Sequence, residues 1–280
     1  MTILVLPSLA GCAKLALRFS PSLVANMTTT FFEECDPELA KDSLPAELKL
    51  LEGLLKNDPG NKRLLTALCM GFSGYSMLFV EDEDPHRASR LYYRAMNYGF
   101  RRLGLGASFL KDKGSREGDL RKSLDAVKVG DLEGLFWLTV AWNAWINLNL
   151  DKPAALVQLG MAQSCLDRVL EMDGAYFYGT PYVLMGSILA ARPAVLGGDP
   201  VKARSYFEKA MRVSQGKFFL VQYYYAKYYA VRSQNKGLFM QLLKAIAGGS
   251  PDELSQVCLI NAVMAAKGRR LLEASNDLFI

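Results

Sequence analysis

Asp84-Pro85-His86-Arg87-Ala88-Ser89-Arg90-Leu91-Tyr92-Tyr93-Arg94-Ala95-Met96 returns 115 residues later as Asp199-Pro200-Val201-Lys202-Ala203-Arg204-Ser205-Tyr206-Phe207-Glu208-Lys209-Ala210-Met211. Asp, Pro, both Ala and Met recur in register, with a basic residue before the first Ala and an aromatic four after it. A glycine stands 17 residues before that Ala in each copy, Gly71 before Ala88 and Gly186 before Ala203. The unit is therefore a helix, a loop and a second helix, with small residues on facing sides so that the two helices approach closely. The loops, Val80 to Asp84 and Pro193 to Asp199, are expected to be enlarged.

Outward from this pair the chain reads as helix after helix. Ser43-Leu44-Pro45-Ala46-Glu47 carries start signals, a capping Ser with Pro in the first turn, and Leu48, Leu51, Leu54 and Leu55 follow as an apolar stripe. Asn57-Asp58-Pro59-Gly60-Asn61 stops that helix. No run alternates in the strand period, so the expected fold is all-α, built as stacked helix pairs in an α-solenoid. It is similar to the tetratricopeptide repeat, although the 17-residue gap exceeds that family's usual one. The expected domains are residues 1–12, a lipoprotein signal; 13–43, a tether; and 44–280, the helical-repeat domain.

Composition narrows the function. Half of the 280 residues are apolar (51%) and 22% are charged, as in an ordinary folded protein. The formal net charge of +5 is spread along the chain, whereas nucleic-acid binding wants a basic face, so no nucleic-acid partner is expected. The first residues run Thr2-Ile3-Leu4-Val5-Leu6-Pro7-Ser8 and close on Leu9-Ala10-Gly11-Cys12. That tetrad matches the bacterial lipoprotein signal, in which the Cys is lipidated and becomes the mature N-terminus. The basic n-region that usually opens such a signal does not precede it. Cys35, Cys69, Cys165 and Cys258 lie far apart, without Cys-x-x-Cys or a nearby His, so a metal site is not expected. Cys69, Cys165 and Cys258 lie in apolar stretches and read as small core residues.

The second half carries a closer resemblance. Leu135-Phe136-Trp137 and Ala141-Trp142-Asn143-Ala144-Trp145-Ile146 are followed by Leu166-Asp167-Arg168-Val169-Leu170-Glu171-Met172-Asp173, Ala190-Ala191-Arg192-Pro193 and Gly197-Gly198-Asp199-Pro200. Over residues 45–265 this resembles the T component of tripartite ATP-independent periplasmic (TRAP) transporters. The resemblance implies a non-catalytic periplasmic lipoprotein, anchored to a membrane through lipid on Cys12. Its implied partner is the transporter's periplasmic substrate-binding (P) component, and it also implies a homo-oligomer, with a trimer as the candidate stoichiometry. An outer-membrane assembly or pilotin-type scaffold lipoprotein is the alternative reading of the same repeats.

Candidate sites follow from the aromatic helices. Trp137, Trp142 and Trp145 form one broad face at 100° per residue, with Asn143 and Asn147 on the other side. This is either the wall of a ligand site or channel, with the Asn pair wetter, or packed core. Tyr224, Tyr225, Tyr228 and Tyr229 belong to a helix aromatic nearly all round, which is either a partner or subunit interface or core. Gly197-Gly198 reads as a loop break before a helix that Asp199 caps, or as a close-approach site; it lacks the phosphate-loop pattern. His86 stands alone beside Glu81-Asp82-Glu83-Asp84, read as a solvated acidic loop. No nucleophile–base pair, paired carboxylates or metal set is recognisable, so no catalytic residue and no cofactor is expected.

Overall fold

The computed structural model describes residues 22–105 and 116–279; Cys12 and its apolar run lie outside them. Among the described residues the secondary structure is helical throughout. Helix α1 spans Ser22–Glu33, α2 Pro37–Asn57, α3 Lys62–Tyr75, α4 Pro85–Arg102, α5 Arg116–Asp125, α6 Leu132–Asn147, α7 Pro153–Leu156 and α8 Leu159–Asp173. The second half holds α9 Tyr176–Ala191, α10 Pro200–Ser214, α11 Phe219–Tyr224, α12 Lys236–Gly248, α13 Cys258–Glu273 and α14 Ser275–Leu278. Two helices end in widened π-helical turns, α3 over Ser76–Val80 and α11 over Tyr225–Ala230.

The two copies of the repeated segment fold alike. Asp84 accepts from the Arg87 N–H at 2.8 Å and Asp199 from the Lys202 N–H at 2.9 Å, with Pro85 and Pro200 opening the helices. A carboxylate on an orphan N–H and a proline where no N–H is needed together fix both helix starts. Ala88, Tyr92 and Ala95 of α4 are fully buried, as are Ala203, Phe207 and Ala210 of α10. Burial at every third or fourth position turns one face of each onto its partner, α4 on α3 and α10 on α9. The glycines do not face the alanines, however. A Cβ on Gly71 would meet Leu48 of α2 at 2.5 Å, and one on Gly186 would lie 3.0 Å from the Phe207 ring. Gly71 thus serves the preceding helix, and Gly186 makes room for the aromatic.

Helix α6 is the centre: Leu135, Phe136, Leu138, Ala141 and Trp142 are fully buried. One apolar cluster joins it to α2, α3, α4 and α8, and a second gathers α9 to α13. Lys62–Val80 is by length and composition apolar enough to cross a membrane, but 78% of it is buried inside the fold, as in a core helix. Lys267 of α13 ties the clusters together, donating to the Met77 carbonyl at 2.8 Å and meeting Asp82 at 2.6 Å. Burial lowers the Lys267 pKa, while for Asp82 burial is outweighed by the Lys267 hydrogen bond and charge, which hold its carboxyl below the usual range.

Three expectations need correction. The first repeat-domain helix starts at Pro37, not at Ser43, because Asp36 accepts from Glu38 N–H at 3.0 Å and Leu39 N–H at 3.2 Å and Pro37 opens the turn. Ser43 instead donates back to the Leu39 carbonyl at 2.6 Å, and Pro45 is carried inside the helix. Part of the stretch read as a tether is helical, since Thr28 and Thr30 bond the carbonyls four residues back at 3.0 and 2.9 Å and so leave α1 intact. Finally, Cys258 is buried but not a plain core thiol: it is disulfide-bonded to Cys35 across 223 residues of sequence. That separation is why no spacing signal exists; packing of α1 against the start of α13 creates the pair.

Candidate functional site

Between the two clusters lies a cavity of about 360 Å³, within the range of small-molecule sites. Part of its lining is aromatic. Phe136 and Trp137 of α6 meet Phe177 of α9 at ring distances of 5.9 and 5.4 Å, and Phe177 also touches Phe32 and Phe218. Phe177 and Tyr178 sit at φ 44° and 58°, and Gly179 at 82°. Left-handed backbone at two bulky residues costs on the order of 1–3 kcal/mol each. The ring contacts of Phe177 offset that cost and aim it into the space between the clusters. Regular helix follows from there, and Val183, Leu184 and Ile188 line the wall opposite Val140 and Ala144.

Part of the lining is polar. Glu81, just past the first π-turn, accepts from the Tyr92 hydroxyl at 2.6 Å. Burial and the Glu81 charge push the Tyr92 pKa well above its ordinary value, so this hydroxyl remains a donor. Tyr224, just before the second π-turn, and Tyr228, within it, line the same cavity together with Asn147. Both π-turns therefore border the cavity, in keeping with the tendency of such turns to occur at functional sites. Leu150, Leu156 and Leu196 line the mouth and are exposed, with Val157 and Val195 beside them at 71% and 91% exposure.

The residues singled out in sequence divide between this cavity and the core. Trp137, Asn143 and Asn147 line it; Trp142 and Trp145 do not. Trp142 is fully buried, its indole N–H donating to Gln158 at 2.8 Å and its ring edge-on to Phe100 at 4.8 Å. Trp145 packs on Tyr93 at 6.0 Å. The helical wheel explains the split: counted from Trp137, Asn143 and Asn147 stand at about 240° and 280°, whereas Trp145 and Trp142 stand at about 80° and 140°. Trp137 is at the edge of both faces. Of the tyrosines, Tyr224 and Tyr228 face the cavity, while Tyr225 stacks on Phe207 at 4.7 Å and touches Tyr229 at 5.4 Å. Gly198 is a close-approach site within the chain, since a Cβ there would lie 1.9 Å from the Arg192 carbonyl.

Sequence reading did not single out Glu81, Phe177, Ser187 or Arg192 as lining residues. Only Phe177 carries a local hint, the Gly179 two residues on. The other three reach the cavity through long-range packing that leaves no spacing signature.

Fold and site together define a class: an all-α protein with a largely apolar cavity between two helical clusters. The chain belongs to the T-component family of TRAP transporters, whose profile, described as "TRAP transporter T-component", matches residues 33–279. It is also similar to an uncharacterised protein of Treponema pallidum (strain Nichols), 24% identical over 272 residues that span 91% of this chain and 84% of the relative. Family membership gives it a role in TRAP transport.

Proposed function

We propose that this chain is a non-catalytic periplasmic component that docks the transporter's substrate-binding protein and receives the apolar part of the solute in its cavity. The observation that carries the reading is the cavity itself, ending at a mouth ringed by Leu150, Leu156 and Leu196. Exposed apolar residues gathered around an opening mark an interaction surface, and a partner seated there would cover the mouth. Trp137, Asn143 and Asn147 are proposed as lining residues, and none of the residues named has a catalytic role. Burial drives the Cys69 and Cys165 thiols upward, the opposite of an activated nucleophile.

The Cys35–Cys258 disulfide supports an oxidising compartment such as the periplasm. In the same reading Cys12 carries the lipid that holds the chain at the membrane surface, and copies of the chain assemble into an oligomer, with a trimer as the candidate. The tetratricopeptide-like stacking of helix pairs is part of this proposal too, supported by the matched hairpins of α3–α4 and α9–α10. The test is an uptake assay with Ala144→Phe, which fills the cavity from α6. Uptake falls while docking to the partner is kept; uptake at the wild-type rate in a normally folded variant would remove the cavity from the transport path.

A further inference from the structure

A second cavity, of about 460 Å³, is lined by α1, α3, the end of α4 and the start of α6, and none of its lining residues lines the first. Three of those residues are basic: Lys62 and Arg63 open α3, and Arg102 closes α4. Arg102 is buried. Its Nε donates to the Thr66 hydroxyl at 3.2 Å and its Nη2 meets Asp131 at 2.7 Å, which uses two of its five N–H groups. The fold makes room for it, since a Cβ on Gly134 would lie 2.8 Å from the Arg102 Cγ. Lys62 reaches the same Asp131 at 3.5 Å, so two cations share one carboxylate. Arg63 is exposed and makes no ion pair among the described residues. Glu133 is the one carboxylate in the lining itself, and burial raises its pKa while Arg102 acts the other way. Positive charge is therefore in excess around the cavity.

We propose that this second cavity takes the phosphate of an anionic phospholipid headgroup from the leaflet that anchors the chain, with the acyl chains left in the bilayer. The proposal rests on Cys12 being lipidated. Val24 and Ala25 line the cavity and α1 begins at Ser22, so only residues 13–21 separate Cys12 from the helix that carries this part of the lining. A segment of that length spans about 30 Å at full extension, which keeps the cavity close to the anchoring surface. The same segment contains Lys14 and Arg18 and no Asp or Glu. It supplies no counter-charge for the cavity and adds to the attraction for an anionic surface.

The donors come from side chains and not from the end of α3. Asn61 accepts from the Arg63 and Leu64 N–H groups at 3.1 and 3.2 Å, so that helix start is already capped. Lys62 and Arg63, both exposed, draw the phosphate in, and the remaining N–H groups of Arg102 hold its oxygens in the planar fork that suits a phosphate. A zwitterionic headgroup brings its own cation beside Lys62 and Arg63 and loses most of that gain.

Cys12→Ser removes the acyl chain and leaves the full chain otherwise intact. This form is sedimented with vesicles of phosphatidylcholine alone and of phosphatidylcholine mixed equally with phosphatidylglycerol. It binds the phosphatidylglycerol vesicles about tenfold or more tighter, and the preference shrinks as salt rises. Lys62→Glu with Arg63→Glu abolishes the preference, while Lys236→Glu with Lys244→Glu, the same change of charge on exposed positions of α12, keeps most of it. Calorimetry with dispersed dihexanoyl phosphatidylglycerol gives one molecule per chain, and inorganic phosphate at the same concentration does not bind. Equal binding to the two kinds of vesicle overturns the proposal. So does equal loss in the two double variants, which would make the attraction one of net charge alone. Saturation by inorganic phosphate also overturns it, because the site would then take the free anion. Acylation of Cys12 is read separately, from the mass of the N-terminal peptide of membrane-extracted chain, so a failed anchor and a failed headgroup site give different results.

Discussion

Reducing the Cys35–Cys258 bond is the perturbation whose effect the structure fixes most directly. The bond spans 223 residues, so it closes most of the chain into one loop. In the chain-entropy description a loop of that size removes about 18 cal/mol/K from the unfolded ensemble, or about 5 kcal/mol at 25 °C. Cys35 is exposed and Cys258 buried, so Cys35→Ser breaks the bond with little loss of packing. Urea unfolding of the oxidised chain, the reduced chain and Cys35→Ser then gives three midpoints. The two forms lacking the bond agree with each other and lie well below the oxidised chain, with the slope also altered because the unlinked unfolded state is more expanded. Hydrogen exchange in α1 rises in both, since this bond fastens the end of that helix to α13. Coincident midpoints for all three would refute the reasoning, as would non-reducing peptide maps that recover Cys35 and Cys258 unlinked.

Other outcomes follow from single side chains. Trp142→Phe removes the donor to Gln158 and leaves a buried acceptor, costing about 1–3 kcal/mol in urea unfolding while leaving uptake unchanged. Gly99→Ala puts a Cβ 2.8 Å from Leu138 and 3.2 Å from the Cys69 sulfur; overpacking of about 1–3 kcal/mol outweighs the gain of about 1 kcal/mol in helix propensity, so the melting temperature falls. Burial raises the Glu47 pKa from 4.5 to about 7, so the folded state holds a proton that the unfolded state has released. The Glu47 contribution to stability is therefore present below about pH 4.5 and is lost as pH rises through 7. Urea midpoints measured from pH 5 to pH 8 show this fall in the wild type, and Glu47→Gln flattens it.

Much of the fold was legible because its signals are local. Asp84-Pro85 and Asp199-Pro200 act within a few residues of themselves, and the apolar spacing of α4 and α10 is the burial seen. The start of α2 is not legible at Ser43, because Ser43-Leu44-Pro45 imitates a cap that Asp36-Pro37 supplies better about two turns earlier. The site was legible only in part. Trp137, Asn143 and Asn147 share the cavity because one side of α6, the centre of the first cluster, borders the gap to the second, a fact about neighbours that no helical wheel contains. Arg192 and Ser187 look in sequence like the ordinary end of a helix before a proline, and their place in the cavity lining is visible only once the surrounding elements are in place. The Cys35–Cys258 pair likewise depends on how two ends of the chain meet.

The central claim is that this T component binds the transporter's substrate-binding protein. The direct measurement is native mass determination of the purified chain mixed with that protein from the same transporter, with and without added solute. A complex of defined mass, weakened when Leu156 and Leu196 at the cavity mouth are changed to Glu, is the result predicted. Two correctly folded proteins that keep their separate masses at every concentration would contradict it.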